Sequence, residues 1–470
     1  MCTISTEMSE QGLRAAEQKM RAGGQSEEAI NSFRNAYERL TAGESALLPS
    51  AELEPVADAA VFEELAEADA HDALAGVAIV KLNGGLATTM GLRSPKSLVQ
   101  ARDGRSFLDL IVEQTLGLRR RHGIKLPLVL MNSEATREQT LRALERYPDL
   151  DVGLPLEFMQ SMIPKLEAEQ LEPVSWPQAP ALEWAPPGHG DVYAALRRSG
   201  MLEALLDAGF RHVMISNSDN LGAVVEPRIA AVVSREQIPF LMEVVIGTEA
   251  ERKGGHVARR RADGQLVLRE TAQTPPEDAE SFRDFRRWRF YNTNNLWVDL
   301  RVLARTLDRS GGILELPLIV NRKTVDPRDP DTPAVIQLES AMGAAIGSFA
   351  GARLLRVPRS RFVPVKTTND LLVMRSDVYR MAGDGRVSPL PERDGRLPYV
   401  ELDPRFYKLL DQFEQRFPDG PPSLRDAERL VVNGDVTFGG GVVVRGDAKI
   451  ETEDPLRVEP GTILGESGSP

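Results

Sequence analysis

The chain is 470 residues long, 42% hydrophobic and 27% charged, with a net charge of −12. That length exceeds one ordinary core and predicts two or three domains, while the acidic balance argues against a nucleic-acid surface as the main partner and leaves room for a local basic pocket. The single cysteine, Cys2, excludes an internal disulfide and a cysteine metal site and fits a cytoplasmic protein; no apolar run approaches the ~18 residues of a membrane span, and the N-terminal segment lacks the apolar core of a signal peptide.

Residues 10–22 and 26–42 read as helices. In the second, Ser26 can cap, Glu27 and Glu28 suit the positive end, and Ile30, Phe33, Tyr37 and Leu40 form one apolar stripe before Gly43. They define a helical N-terminal region over residues 1–75.

From residue 76 strands alternate with helices. Strands are predicted at 77–82, 127–131, 155–159, 212–216 and 239–246, and helices at 106–121, 134–146 and 191–207. The alternation predicts a mostly parallel, doubly wound α/β sheet with ligands beyond the carboxyl ends of its strands. This domain is expected to span 76–375. Residues 376–428, rich in Pro, Gly and charge, read as a connector with one helix near 404–416. In the last stretch, 429–470, Leu430, Val436, Val442 and Ala448 recur every six residues, as do Gly434, Gly440 and Gly446. A six-residue period with turn glycines predicts a few coils of a β-helix, ordinary hairpins being the alternative.

Within the sheet domain, Val77-Ala78-Ile79-Val80 carries no polar residue, as a strand covered on both faces requires. Asn83, Gly84 and Gly85 follow and let bare backbone approach an anion, although a tight turn also suits paired glycines. Lys96 stands behind Ser94-Pro95, placed to meet phosphate. In PPGHGDVY (186–193), Gly188 and Gly190 flank His189, which reads as exposed and able to reach a phosphate or sugar, and Asp191 is placed to cap the next helix. Asp219, just past Val213-Met214-Ile215, is positioned to hold Mg²⁺ against phosphate oxygens; an Asx-turn is the plainer reading. Asn292, Asn294 and Asn295 offer amides suited to sugar hydroxyls, or to a turn. Lys366, between Val365 and two threonines, reads as a buried ammonium that needs an anion. The histidines show no metal-ligand spacing.

Together these segments resemble the UTP–glucose-1-phosphate uridylyltransferase family of the eukaryotic type. The resemblance runs in order through KLNGGLATTMG and PKSLV, FMQSMIPKL (158–166), PPGHGDVY, SNSDNLGA (216–223), NTNNLW (292–297), VIQLESAMGAAI (335–346), PRSRFVPVKTTNDLLV (358–373) and NGDVTFG (433–439). It implies a Rossmann-like, glycosyltransferase-A type nucleotidyltransferase sheet with a short C-terminal left-handed β-helix. It implies Mg²⁺-dependent conversion of UTP and α-D-glucose 1-phosphate to UDP-glucose and pyrophosphate. Leu82, Asn83, Gly84 and Gly85 match the nucleotide-binding turn, Gln160 the uracil reader, and Gly188 a nucleotide contact. His189, Asn217, Asn292 and Asn294 match sugar-phosphate positions. Asp219 matches a nucleotide and metal position, and Lys96 and Lys366 the catalytic phosphate lysines. Ala87 and Ser94 stand where the family usually has glycines, and Lys165 where arginine is common. Homo-oligomerisation through the β-helix is compatible with the resemblance. Rival readings are a pyrophosphorylase for UDP-N-acetylhexosamine or for several UDP-sugars, and a non-catalytic UDP-sugar-binding scaffold.

Overall fold

In the computed structural model, which describes residues 6–252 and 254–465, the apolar run at 77–80 lies at the centre of the main sheet. Cys2 falls outside the described residues. Seven strands form the body of that sheet: β1 (Val77–Asn83), β2 (Leu128–Asn132), β3 (Glu157–Met159), β4 (His212–Asn217), β5 (Phe240–Ile246), β6 (Phe290–Asp299) and β7 (Arg353–Arg356). Their spatial order is β7-β5-β6-β4-β1-β2-β3, and short strands at Leu53–Pro55, Ala60–Val61, His256–Arg260 and Leu266–Arg269 bring the total to eleven. β1 pairs in parallel with β4 on one edge and β2 on the other, and β2 pairs in parallel with β3. The chain thus steps outward from β1 to β3 and returns to the opposite edge of β1. That reversal makes the β1/β4 junction a topological switch point, where a crevice opens past the carboxyl ends of the strands.

Side-chain alternation divides the core between the two faces of the sheet. Ala78 and Val80 pack with Val129, Met131, Val213 and Ile215, while Val77 and Ile79 pack with Leu128, Leu130 and Met214. Helices α1 (Thr6–Ala22) and α2 (Glu27–Thr41) begin the chain; α3 (Phe107–His122), α4 (Glu134–Leu144), α5 (Val192–Arg198) and α6 (Met201–Asp207) belong to the sheet region. Ser26 caps α2 by accepting from Ala29 N, and Ser106 forms a capping box with Asp109 at the start of α3.

Several expectations are corrected. The helix expected over 191–207 is two helices, because Gly200 adopts φ +73° between them. The helix near 404–416 is likewise two, α8 (Pro404–Tyr407) and α9 (Leu410–Arg416), broken by extended Leu409, and α7 (Thr368–Arg375) precedes them. The sheet is mixed, since β6 runs antiparallel to both β4 and β5. After β5 the chain makes an antiparallel excursion, His256–Arg260 with Leu266–Arg269, whose first residue, His256, pairs with Tyr291 near the start of β6. β6 therefore starts from that edge and must run back.

The N-terminal helices pack through Ile30, Phe33 and Tyr37 against Ile163, Leu166, Leu171 and Leu338. Tyr37 Oη donates to Leu171 O at 3.1 Å. At the other end β8 (Tyr399–Leu402), β9 (Ser423–Asn433), β11 (Val443–Glu451) and β13 (Ile463–Leu464) pair in parallel, beside a second parallel pair, β10 (Val436–Phe438) with β12 (Leu456–Val458). Leu430 stands opposite Ala448, and Leu430, Val436, Val442 and Ala448 are all buried. No helix among the described residues is long and apolar enough to cross a membrane.

Candidate active site

Three strand ends and two loops converge on the switch-point crevice. At the end of β1, Asn83 turns inward: it is 2% exposed, and its Nδ2 donates to Asn132 Oδ1 at 2.7 Å and Thr140 Oγ1 at 2.9 Å. Its amide nitrogen braces the turn from below, while Oδ1 is buried with no hydrogen-bond partner among the described residues. Gly84 faces Gln160 so closely that an added Cβ would collide with that side-chain amide, while Gly85 faces open space. Gly84 O accepts from Ser133 Oγ at 2.9 Å, and Gly85 O accepts from Lys96 N at 3.1 Å. The loop between them closes through a bridge of Leu86 with Pro95. Neither Ala87 nor Ser94 needs a positive φ; Ala87 sits at φ −79° and Gly91 takes the left-handed position at +81°. The two non-glycine residues therefore fit this loop without strain.

Asn217, the last residue of β4, lies directly opposite Leu82 in register. Two residues on, Asp219 Oδ2 accepts from Lys96 Nζ at 2.6 Å. Its other oxygen, Oδ1, is buried with no hydrogen-bond partner among the described residues. Asp219 O accepts from Val365 N at 3.1 Å, which joins the β4 end to the segment that presents Lys366. Lys366 was expected to be buried; it is exposed, and its ammonium has no ion-paired or hydrogen-bonded partner among the described residues. Its backbone is fixed instead, because Asp370 Oδ2 accepts from Lys366 N and Thr367 N, both at 2.8 Å, at the start of α7. The burial rule failed because the apolar neighbours, Val363 and Val365, point the other way into the core.

His189, expected to be exposed, is half-buried. The loop that carries it is pressed onto 340–342: Gly190 N donates to Ser340 O at 2.9 Å and Ser340 N to Pro187 O at 3.0 Å. A Cβ on Gly188 (φ +80°) or Gly190 would collide with Ser340. Met342 N donates to His189 Nδ1 at 2.9 Å, so the ring proton resides on Nε2. Burial pushes the imidazole down to about 4, with the Glu339 charge opposing and the Lys366 charge adding to the effect. At neutral pH this residue is an uncharged donor. Asp191 is not a helix cap; it accepts from Ser161 N at 2.6 Å and Ser161 Oγ at 3.1 Å, tying the chain after Gln160 to the histidine loop.

Asn292 and Asn294 hold one another. Asn292 Nδ2 donates to Asn294 Oδ1 at 2.7 Å, and Asn294 N to Asn292 Oδ1 at 2.8 Å, with Asn294 at φ +58°. They lie within β6, at its register shift against β5, and not in a turn. Gly343 packs on Asn292, its missing Cβ falling 2.7 Å from Nδ2.

Sequence reasoning passed over four residues. Glu270 sits against Gly255, whose carbonyl accepts from Asn292 N at 3.0 Å. Burial raises its pKa while the Lys366 charge opposes. Beneath the crevice, Glu243 and Arg361 form a buried two-pronged ion pair at 2.8 and 2.6 Å, with Trp297 Nε1 donating to Glu243 at 2.9 Å. Lys81, 2% exposed, donates to Ser216 Oγ and Ala223 O, each at 2.8 Å. A lone charge within an apolar strand, as in VAIVKLN and FLMEVVI, is the signal that could have found Lys81 and Glu243.

Among the described residues no three His, Cys, Asp or Glu side chains gather into a metal-binding group. A cation here would have one protein carboxylate, Asp219, whose orphaned Oδ1 fits that role. This suits Mg²⁺, which takes one or two carboxylates and completes its shell with phosphate and water.

A glycine turn at the switch point, a side-chain amide against it and two lysines beside the strand ends define an α/β protein built to handle a nucleotide by its base and phosphates. The chain belongs to the UTP–glucose-1-phosphate uridylyltransferase family, which it matches over residues 30–445. It is 38% identical to the enzyme of that name from Hordeum vulgare over 457 residues, covering 95% of this chain and 93% of the relative. A UDP-glucose pyrophosphorylase variant from Leishmania major, solved in complex with UDP-glucose, is 41% identical with a TM-score of 0.92, covering 97% of this chain and 98% of that one. The UDP-glucose phosphorylase of Trypanosoma brucei gives 40% identity and a TM-score of 0.90, covering 96% and 98%.

Proposed function

We propose that the protein transfers the uridylyl group of UTP to α-D-glucose 1-phosphate, forming UDP-glucose and releasing pyrophosphate. The observation that carries this reading is the meeting, at one switch point, of the Gly84–Gln160 contact with the Lys96–Asp219 pair and the unpaired Lys366.

A phosphate oxygen of the sugar phosphate attacks the α-phosphorus of UTP, and the bond to the bridging oxygen of the β-phosphate breaks in line. The attacking monoester is ionised at neutral pH, so the site needs no general base. The barrier is the approach of two anions, and catalysis rests on positioning and fixed positive charge. Gln160 reads the uracil edge with one donor and one acceptor, over the bare backbone of Gly84 and Gly85. Lys366 serves the sugar phosphate and α-phosphate, and Lys96 the triphosphate. The neutral His189 donates from Nε2, and Asn217, Asn292, Asn294 and Glu270 face the sugar. Mg²⁺ held by Asp219 would supply charge neutralisation at the phosphates.

On this reading residues 76–375 form the catalytic domain with a glycosyltransferase-A type sheet, 1–75 an N-terminal region, 376–428 a connector and 429–470 a short left-handed β-helix. The spacing of eighteen positions from Leu430 to Ala448, three six-residue periods, supports one coil per three periods. The β-helix is available for self-assembly, and the cysteine content favours the cytoplasm.

Pyrophosphate release by the purified protein tests the reading. UTP, glucose 1-phosphate and Mg²⁺ should give rapid release, with galactose and N-acetylglucosamine 1-phosphates much slower. No release with glucose 1-phosphate would overturn the assignment, and equal rates with all three sugars would make it a broad-range enzyme.

A further inference from the structure

The ammonium of Lys81 is buried between the two strands that define the switch point and lies outside the substrate crevice. On β1 it is the second residue before Asn83, and in register it stands opposite Ser216 of β4. Its two acceptors are informative. Ser216 immediately precedes Asn217, and Ala223 lies in the loop after β4, four residues past Asp219. One side chain of β1 therefore holds both the strand end just before this loop and a point within the loop beyond Asp219.

We propose that Lys81 is a positioning residue for uridylyl transfer, a buried clamp that fixes the spacing between the nucleotide turn at Leu82–Gly85 and the Asp219 loop. The inference rests on the function assigned above. Both elements must reach the same triphosphate, one by its backbone and the other by Asp219 with its partner Lys96. Their separation therefore has to be held to a fraction of an ångström, and past the Leu82–Asn217 register pair the backbone of β1 holds the loop by the bond from Ser218 N to Leu82 O at 3.3 Å, which stops short of Asp219.

Stability does not account for a lysine here. A buried ammonium facing neutral oxygens loses its hydration and regains only two hydrogen bonds, and an apolar residue would continue the run Val77–Val80. The surrounding charges do not make it a simple ion pair. Burial is the main influence on Lys81; Arg361 acts against its charge, and Glu243 and Asp219 act for it without contacting it. The other contacts of the loop are independent of Lys81. Asn220 Nδ2 donates to Asn295 Oδ1 at 3.1 Å and to Arg361 O at 3.1 Å, and its Oδ1 accepts from Val363 N at 2.9 Å. These tie the loop towards β6 and the Lys366 segment. Ser218 N donates to Leu82 O at 3.3 Å beside the strand end, and Lys81 carries the tie to β1 past Asp219 to Ala223.

The test uses Lys81→Met, which keeps length and apolar character, and Ser216→Ala, which removes one of the two acceptors. Each is measured for kcat, for UTP affinity, for uridine affinity and for thermal unfolding. Lys81→Met should unfold at or above the wild-type temperature, lower kcat about tenfold or more and weaken UTP binding. Uridine should bind both variants as it binds wild type, because its base contacts lie on β1 and Gln160 and span no gap. Ser216→Ala should change kcat and UTP affinity in the same direction by a smaller factor. Wild-type kcat and UTP affinity in Lys81→Met would overturn the proposal, as would equal weakening of uridine and UTP, which marks general loosening. If Lys81→Met does not fold, Ser216→Ala decides by the same two criteria. An inactive wild-type protein would instead overturn the assigned function.

Discussion

Lys366→Ala should separate catalysis from stability more cleanly than any other change to this site. The side chain is exposed and makes no ion pair or hydrogen bond among the described residues, and its backbone amide is held by Asp370 whatever the side chain. Removing an unpaired exposed charge changes stability by at most about 0.5 kcal/mol. The same charge reaches into the crevice, where it opposes protonation of His189 and favours the ionised form of Glu270. At about 4 Å from a phosphate oxygen it would contribute up to about 4 kcal/mol at an effective dielectric constant near 20. If some two thirds of that develops only in the transition state, kcat falls by ~10²-fold. Pyrophosphate release at saturating substrates, beside a thermal melt, reads both quantities. Lys366→Arg, which keeps the charge and changes its reach, should fall between the two. A rate within threefold of wild type in folded Lys366→Ala would refute the role given to this lysine. So would a rate loss that tracks a fall in melting temperature.

Gly84→Ala should raise KM for UTP and leave the fold intact, because the new Cβ displaces the movable end of Gln160; unchanged KM would mean that Gln160 does not read the base. Asp219→Asn should shift the Mg²⁺ dependence of the rate to higher concentration and free Lys96 from its ion pair, so an unchanged titration would place the metal elsewhere. Glu243→Gln leaves the Arg361 guanidinium buried without a counter-charge and should cost about 3–5 kcal/mol in urea unfolding, against little cost if solvent reaches the pair. Burial holds His189 at about 4 and His256 at about 3, and burial also lowers His212. These folded values lie below the unfolded value near 6.5, so the unfolded chain binds more protons in that window. Stability should therefore fall as pH drops from about 6.5 towards 4, by up to about 1.4 kcal/mol per pH unit for each histidine. His256→Phe, which keeps a ring against Trp288, should flatten that limb, and an unchanged slope would refute the assignment.

The strands around the switch point were legible because burial on both faces leaves an unbroken apolar run, and the run in β1 has that form. Strand β6 was not legible as a strand. Its start, YNTNN, is polar because it edges the crevice, and the register shift there lets Asn292 and Asn294 join across one residue. The candidate site residues came from residue type, spacing and the family resemblance, but the environments of two of them were misjudged. His189, between glycines, was expected at the surface, yet the glycines bring the loop against Ser340 and leave the residue half-buried. Lys366, among apolar neighbours, was expected inside, yet those neighbours anchor the backbone and leave the ammonium out. Local sequence reports which residues flank a group; which side they face is fixed by contacts distant along the chain, here Ser340 to Gly190 and Val365 to Asp219. Lys81 and Glu243 were missed because hydrophobic patterning registers a strand and passes over its single charge.

An acidic chain that binds two polyanions has to confine its positive charge to the place of reaction. Here the confinement follows from how each cation is partnered. Lys96 is neutralised by Asp219 and Arg361 by Glu243, so neither adds long-range attraction in this state. Lys366 alone among these three presents an uncompensated charge to the crevice. On the proposed function, arrival of a triphosphate would change that balance, since Lys96 would then have a second and more highly charged anion within reach, and Asp219 Oδ2 would be released beside the unpartnered Oδ1. The carboxylate would thus be fully available to a divalent ion when phosphates that could complete its shell are present. The same argument explains why the clefts between these groups are lined by glycine. Gly84, Gly188, Gly190 and Gly343 each stand where a Cβ would strike Gln160, Ser340 or Asn292. Side chains that must exchange one partner for another need their supports fixed, and direct contact with backbone supplies that rigidity where an intervening side chain would yield.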